Sequence, residues 1–207
     1  MPSRILHLAV SSLLEKETAF HGLARLHAGT VAPDACLTRE GHFRVLLGDG
    51  RRTYALSVFR ERYGDRMLRD DFYLGYYLHL AEDMTHRRML YAERGYVPTD
   101  EYIRALHRDY TLLNPRIIAA YGLTDDTRLP EGWEAEPIAR ELPFRLPEFL
   151  EEMRGDFRVP PNDGPFAVFT PELAEEFIRR AAEAMLREID ALRHGETTMD
   201  EEAFAWG

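Results

Sequence analysis

Residues 72–86 read Phe-Tyr-Leu-Gly-Tyr-Tyr-Leu-His-Leu-Ala-Glu-Asp-Met-Thr-His, and this stretch decides how the chain folds. Its first half is apolar and aromatic, and its second half carries side chains that commonly bind metals: His79, Glu82, Asp83 and His86. Their spacings of three, four and seven residues place all four on one face of an α-helix. Because the preceding run is apolar, the pattern predicts a central helix from about Asp70 to Glu93 whose polar face enters the protein interior.

The spacing of His79 and Asp83 favours a metal site, because an imidazole and a carboxylate one helical turn apart can bind the same divalent cation. Each residue also has an ordinary interpretation. A buried histidine is usually a hydrogen-bonded core residue, and Asp83 could pair with Arg87 or Arg88. Glu82 is expected to pair with an arginine, while His86 either supports a ligand or lies on an exposed helix face.

The composition indicates one domain, residues 1–207, with enough chain for a substantial core. No run approaches the roughly 20 apolar residues that a membrane span needs. The net charge is −10, and its excess of acid lies in residues 101–207, which argues against broad nucleic-acid binding. The lone Cys36 excludes an intramolecular disulfide. The apolar run at residues 5–14 is interrupted by a histidine and two serines, so we expect a helix of a cytoplasmic protein instead of an export signal.

Strand signals are almost absent, so the sequence predicts an all-α fold, a multi-helix bundle around a metal site. The expected helices, besides the central one, are Ser3 to Lys16, Thr53 to Tyr63, Thr99 to Tyr121, Pro147 to Met153, and Pro171 to just before Gly195. Between the first two we expect structured loop with short helical pieces and an extended segment at 43–47. Residues 122–140 read as loop. Residues 142–170 are rich in proline and phenylalanine and predict an irregular excursion or a lid.

Three residues outside the central helix complete the candidate site. His7 lies on the first helix, Asp34 follows a proline, and His42 stands between a glycine and a phenylalanine. Each alone has an ordinary interpretation, and a post-proline aspartate is commonly a turn residue. Taken together with the central helix, they favour a metal site formed by His7, Asp34, His42, His79 and Asp83. We expect no functional role for the remaining histidines, His21, His27, His107 and His194.

Four segments, in this order, resemble the zinc-dependent phospholipase C family, which is similar in fold and metal site to the zinc single-strand nucleases. They are Met-Pro-Ser-Arg-Ile-Leu-His-Leu-Ala at 1–9, Gly-Thr-Val-Ala-Pro-Asp-Ala at 29–35, Gly-His-Phe at 41–43 and Leu-Gly-Tyr-Tyr-Leu-His-Leu-Ala-Glu-Asp at 74–83. The resemblance covers about the first 95 residues. It implies a mostly helical fold in which one zinc is bound by Asp34, His42, His79 and Asp83, and a second is held by His7 and a shared Asp83. The family's further ligands have no match after Asp83, so one or two ions are expected instead of three.

The expected function is that of a zinc-dependent hydrolase that cleaves a phosphoester with metal-activated water, Asp83 or Asp34 orienting that water as catalytic residues. Arg39, Arg44 or Arg87 could hold the phosphate oxygens. The substrate would be a small phosphoester or a phospholipid head group. The alternative is a non-catalytic helical protein that binds metal, or a partner, with the same residue arrangement.

Overall fold

The computed structural model describes residues 1–161 and 164–207. Its α-helices are α1 (Arg4–Glu17), α2 (Leu23–Val31), α3 (Leu56–Met67), α4 (Asp71–Arg87), α5 (Asp100–Tyr121), α6 (Pro137–Glu141), α7 (Leu146–Met153) and α8 (Pro171–Arg193). Shorter helical turns occupy Ala32–Ala35, Arg39–His42, Trp133–Ala135 and Asp156–Arg158, and a π-helical turn, Arg88–Glu93, continues α4. A single antiparallel hairpin pairs β1 (Arg44–Leu46) with β2 (Arg52–Tyr54) in the described ranges. The predicted all-α bundle is confirmed.

Four helices begin directly after a side chain that caps them. Ser3, Asp70, Thr99 and Thr170 each accept a hydrogen bond from a backbone N–H in the first turn of α1, α4, α5 and α8. Such a cap stabilises a helix by about 1 kcal/mol, because the first N–H groups have no partner within the helix. The predicted start of each of these helices is confirmed within a residue.

The sequence-based boundaries fail in three regions. The helix expected from Thr53 begins at Leu56, because residues 52–54 pair with β1 instead. The loop expected at 122–140 contains a short helical turn and the start of α6. The stretch between α1 and the hairpin contains α2, a regular helix of nine residues that is too short to show a clear period. Within 142–170, the helix α7 is confirmed, and residues 162–163 lie outside the described part.

Helix α4 is the centre of the molecule. It packs against α2, α3 and α8, and its aromatic residues are buried as predicted. Tyr76 stacks on Phe59 of α3 with ring centroids 5.2 Å apart, and its hydroxyl donates to the carbonyl of Gly41. Across residues 1–161 and 164–207, no helix is long and apolar enough to cross a membrane. The burial of α4 on several sides explains why its polar residues must find partners inside the protein.

Two glycines let α2 and α4 touch backbone to backbone. A Cβ atom on Gly29 would lie 2.0 Å from the carbonyl oxygen of Phe72, and one on Gly75 would lie 2.3 Å from the carbonyl oxygen of Leu26. Neither distance can be accommodated without moving a helix, so only glycine fits at this crossing. The close approach brings Thr30 of α2 against the face of α4 that carries His79.

The chain after α8, residues 194–207, returns to the hairpin. Glu188 of α8 accepts hydrogen bonds from the side chain of Thr197 and from both the backbone and the side chain of Thr198. Further on, the N–H of Trp206 donates to the carbonyl of Arg52 at 2.8 Å, and the N–H of Arg52 donates back at 2.7 Å. We call residues 194–207 the C-terminal segment. It extends the edge of the hairpin and places an aromatic ring beside α4.

Candidate metal centre

The structure brings together the five predicted ligands, although they lie on separate elements. His7 is on α1, Asp34 and His42 are in the two helical turns that follow α2, and His79 and Asp83 are one turn apart on α4. His7, His79 and Asp83 have no exposed surface, His42 is almost buried, and Asp34 is partly exposed. Their donor atoms form two neighbouring groups.

The first group contains Asp34, His42 and His79, and Asp83 lies beside it. Asp34 Oδ1 lies 3.2 Å from His42 Nε2 and 3.9 Å from His79 Nε2. Asp83 Oδ2 lies 3.9 Å from each of the same two nitrogens. Donor atoms around a tetrahedral zinc ion, each about 2.1 Å from it, are about 3.4 Å apart. The observed separations are close to that value, so Asp34, His42 and His79 could hold one ion, with Asp83 Oδ2 beside it.

The second group contains His7, His79 and Asp83. His7 Nε2 lies 3.8 Å from Asp83 Oδ1, and the His7 and His79 rings stack with centroids 4.0 Å apart. One donor atom from each residue lies within 4.8 Å of the other two. Asp83 therefore presents Oδ1 to this group and Oδ2 to the first one, and His79 belongs to both. The two oxygens of Asp83 could each serve as a metal ligand, whereas His79 has one free nitrogen and could bind a single ion.

Three atoms at the centre lack a hydrogen-bond partner among the residues that the structure describes. They are His7 Nε2, His79 Nε2 and Asp83 Oδ1, all inside the protein. Leaving a buried polar group unsatisfied costs about 1–3 kcal/mol, and most buried groups avoid it. Since the three atoms face one another, a divalent cation between them would satisfy all three at once. The residues present therefore fit a metal ion.

The other ring nitrogen of each of these histidines is held in place. His79 Nδ1 donates to the carbonyl of Thr30 at 2.8 Å, which leaves its Nε2 lone pair directed at the centre. His7 Nδ1 is hydrogen-bonded to Glu82 Oε2 at 2.6 Å. Tyr54 donates its hydroxyl hydrogen to Asp83 Oδ2 at 2.9 Å. Partners of this kind orient metal ligands in known sites and fix which nitrogen is free to bind.

Burial controls the protonation of the centre. It lowers the pKa of His79 and, with His79 nearby, that of His7 well below the ordinary histidine value, so both imidazoles are neutral as metal binding requires. Burial disfavours the charged form of Asp34, but the hydrogen bond from His42 and the nearby His79 outweigh it and lower the pKa of Asp34. Burial, and then Asp83, raise the pKa of Glu82 well above its usual range. If a cation binds His7 Nε2, the proton of the imidazole must be on Nδ1, and Glu82 must accept a hydrogen bond from it as a carboxylate. Metal binding should therefore release a proton from the His7–Glu82 pair.

The remaining sequence-based expectations for this region have mixed outcomes. Glu82 does not pair with an arginine as expected, because it points at α1 and bonds to His7. His86 is not on an exposed face, since it is buried against Phe169 and Phe177 and hydrogen-bonded to Tyr110. Asp83 forms no ion pair with Arg87 or Arg88 in the described ranges.

A cleft of about 360 Å³ borders the centre at Asp34. Asp34 lies in its wall, together with polar residues such as Ser3, Arg4, His107, Thr111 and Asn114. Its volume is in the range of small-molecule sites. The position of His107 in this cleft was not predicted from its sequence context. A separate cleft of about 200 Å³ beside Glu15 and His27 contains none of the five candidate ligands.

Comparison with known proteins adds no assignment: no family model, no curated protein and no solved structure matches this chain. The donor set itself carries the chemical information. Three imidazole nitrogens and two carboxylates are ligands of the kind that zinc accepts in catalytic sites, and other transition metals accept them too. These buried His and Asp groups could hold a metal ion.

Glu82→Ala is expected to weaken zinc binding by about 10–100-fold, because it removes the partner that orients the His7 ring. Glu82→Gln keeps an oxygen that can accept from His7 Nδ1 and should lose much less. Titration against a chromophoric chelator measures both affinities, with thermal melts as a check on folding. Equal affinity in the wild type and the alanine variant would mean that Glu82 does not support a ligand.

Proposed function

We propose that this protein is a zinc-dependent hydrolase that cleaves a phosphoester, holding one or two zinc ions. The observation that carries the proposal is the set of three buried, unpaired donor atoms, His7 Nε2, His79 Nε2 and Asp83 Oδ1, in a centre whose fifth candidate ligand, Asp34, lies in the wall of a cleft. Buried donors of this kind are uncommon unless a ligand uses them. The resemblance to the zinc-dependent phospholipase C family points to the same chemistry.

The five residues would have different roles, according to how exposed each side chain is. All five would hold the metal, which when bound polarises the phosphoryl oxygen and lowers the pKa of a water molecule, and His7, His42, His79 and Asp83 are the buried ones. Asp83 is further fixed by the Tyr54 hydroxyl. Asp34 lies in the wall of the cleft, so its carboxylate is the one best placed to orient an attacking water by accepting a hydrogen bond from it.

The cleft limits the substrate to a small group around the phosphorus. About 360 Å³ accommodates a phosphoester with a compact alcohol, including a phospholipid head group whose acyl chains remain outside. Hydroxyl and amide side chains of Thr111 and Asn114 offer hydrogen bonds to the alcohol part. The proposal includes a cytoplasmic location, in keeping with a free Cys36.

One observation favours a second candidate, a non-catalytic metal-binding or interaction protein. His7, His79 and Asp83 have no exposed surface, and structural zinc sites are closed in this way, whereas catalytic sites keep an open position. Under this candidate, the metal would tie α1 to α4 and the loop after α2. Asp34, as the ligand that reaches the cleft, is the residue that separates the two candidates.

Metal analysis of the purified protein, with a screen on chromogenic phosphomonoesters and phosphodiesters, tests both candidates. The hydrolase proposal expects bound zinc, turnover that chelation abolishes, and turnover restored by added Zn²⁺. Asp34→Asn should then retain zinc while losing most activity. Bound zinc without turnover on any phosphoester would favour the non-catalytic candidate. Activity and melting temperature that both ignore zinc would eliminate the two together.

A further inference from the structure

Two arginines next to the metal centre lack a carboxylate partner. Arg44 lies on β1 and Arg87 at the end of α4, and both are partly buried. Neither forms an ion pair with an aspartate or glutamate anywhere in residues 1–161 and 164–207. In both, the Nε atom is buried without a hydrogen-bond partner in the same ranges. Other arginines of the chain do pair with carboxylates, as Arg4, Arg25, Arg94, Arg145 and Arg180 do.

Both side chains reach the edge of the centre. Arg44 Nη2 donates to the Tyr54 hydroxyl at 3.1 Å, and that hydroxyl donates to Asp83 Oδ2 at 2.9 Å. Arg87 follows Asp83 by one turn of α4. The two guanidinium groups repel each other, and both act to lower the pKa of Tyr54 against the larger, opposite effect of burial. Burial also lowers the pKa of Arg87. Like charges held together without a direct ion pair to a carboxylate are the usual electrostatic signature of an anion site.

Aromatic rings hold the two guanidinium groups in position. Arg44 lies over the ring of Tyr54 at 5.2 Å, and Arg87 lies 3.9 Å from the ring centroid of Trp206 and 5.0 Å from that of Tyr91. Stacking uses the face of a guanidinium and leaves its N–H groups available at the edge. The C-terminal segment supplies Trp206 through its pairing with Arg52. These contacts position the charges without neutralising them.

We propose that Arg44 and Arg87 form an anion-binding site beside the metal centre, and that it takes the dianionic phosphate group of a phosphomonoester. The inference rests on the proposed function and specifies its substrate class. Asp34 and Asp83 together carry the charge that offsets one divalent cation, so the two arginines add positive charge that these ligands do not neutralise, and an ionised Glu82 offsets one unit of it at most. A terminal phosphate group supplies two negative charges, while the phosphate of a diester supplies one. The planar fork of arginine also matches the oxygens of a phosphate group.

Binding of inorganic phosphate to the zinc-loaded protein, measured by titration calorimetry, tests the site. Arg44→Gln and Arg87→Gln should each weaken phosphate binding by about tenfold or more, the loss typical of one charged hydrogen bond, with unchanged zinc content. Arg60→Gln is the matched control. Arg60 also donates to a tyrosine hydroxyl, that of Tyr77 at 2.8 Å, and lies over its ring at 5.8 Å. It lines a different groove, beside Met67, so its variant should bind phosphate like the wild type.

The outcomes separate the anion site from the hydrolase. Phosphate affinity that is equal in all three variants and the wild type overturns the site, even if zinc is bound and phosphoesters are cleaved. Dimethyl phosphate, a monoanionic diester, should bind at least tenfold more weakly than inorganic phosphate; equal affinity overturns the monoester assignment. If the protein holds no zinc and yet Arg44→Gln and Arg87→Gln weaken phosphate binding while Arg60→Gln does not, the anion site stands and the hydrolase proposal fails.

Discussion

The His79→Ala variant is expected to lose its bound metal, with any hydrolytic activity. His79 belongs to both groups of donor atoms, so its removal leaves each group with one donor fewer. Asp83→Ala should have the same effect, because the two carboxylate oxygens face different groups. Loss of a supporting partner alone weakens metal binding by about 10–100-fold, so loss of either ligand should exceed roughly 100-fold. Metal content after dialysis against a weak chelator measures the effect.

His86→Ala provides the matched control for this result. His86 is a buried histidine on the same helix and lies outside both donor groups. Its truncation should lower stability, as loss of a buried side chain does, and should leave zinc content unchanged. Full zinc occupancy in both His79→Ala and Asp83→Ala would show that the metal site lies elsewhere. Loss of zinc in His86→Ala as well would point to unfolding as the cause.

Removal of zinc is expected to cause a large loss of thermal stability in the wild type. A ligand that binds only the folded state at 1,000 times its dissociation constant adds about 4 kcal/mol to the free energy of unfolding. In a protein of this size, about 1 kcal/mol corresponds to roughly 2–4 °C in melting temperature, so chelation should lower the midpoint by roughly 8–16 °C. The physical reason is that the unpaired donors of the centre remain buried without a partner.

The comparison with His79→Ala makes this second prediction specific. Zinc and chelator should shift the melting temperature of the wild type and leave that of the variant almost unchanged. Scanning calorimetry with and without zinc, at one protein concentration, measures both. A wild-type midpoint that does not respond to zinc contradicts the prediction. An equal shift in the variant would place the stabilising ion at another site.

The elements that were predictable from sequence are those with local signals. α1, α5 and α8 have a capping serine or threonine and a long period, so nearby residues determine where they begin. The start of α3 was missed because Thr53 and Tyr54 pair with β1, a tertiary contact that overrides helix propensity. Short helical pieces were expected in the region of α2, but its bounds were not predicted, because nine residues that include a glycine give too few turns for a clear pattern.

For the candidate site, residue type and spacing indicated which side chains would converge, and the structure brings them together. Their role as ligands stays a prediction. The supporting contacts could not be predicted in the same way. Glu82 meets His7 across 75 positions of sequence, and Thr30 offers a backbone carbonyl, which every residue carries. The lack of an ion pair at Arg44 and at Arg87 in the described residues could not be predicted either, because arginine is abundant in this chain and the fold determines which carboxylates its side chains meet.

The glycine crossing of α2 and α4 has a consequence for protein engineering. Gly29 and Gly75 carry no functional group, yet they set the helix separation at which the Thr30 carbonyl meets His79 Nδ1. Copying only the histidines and aspartates onto another pair of helices would reproduce the chemistry of the donors without their spacing. A transplant of this centre would have to include the two glycines, because the separation of the two helix backbones sets the distances between the donor atoms.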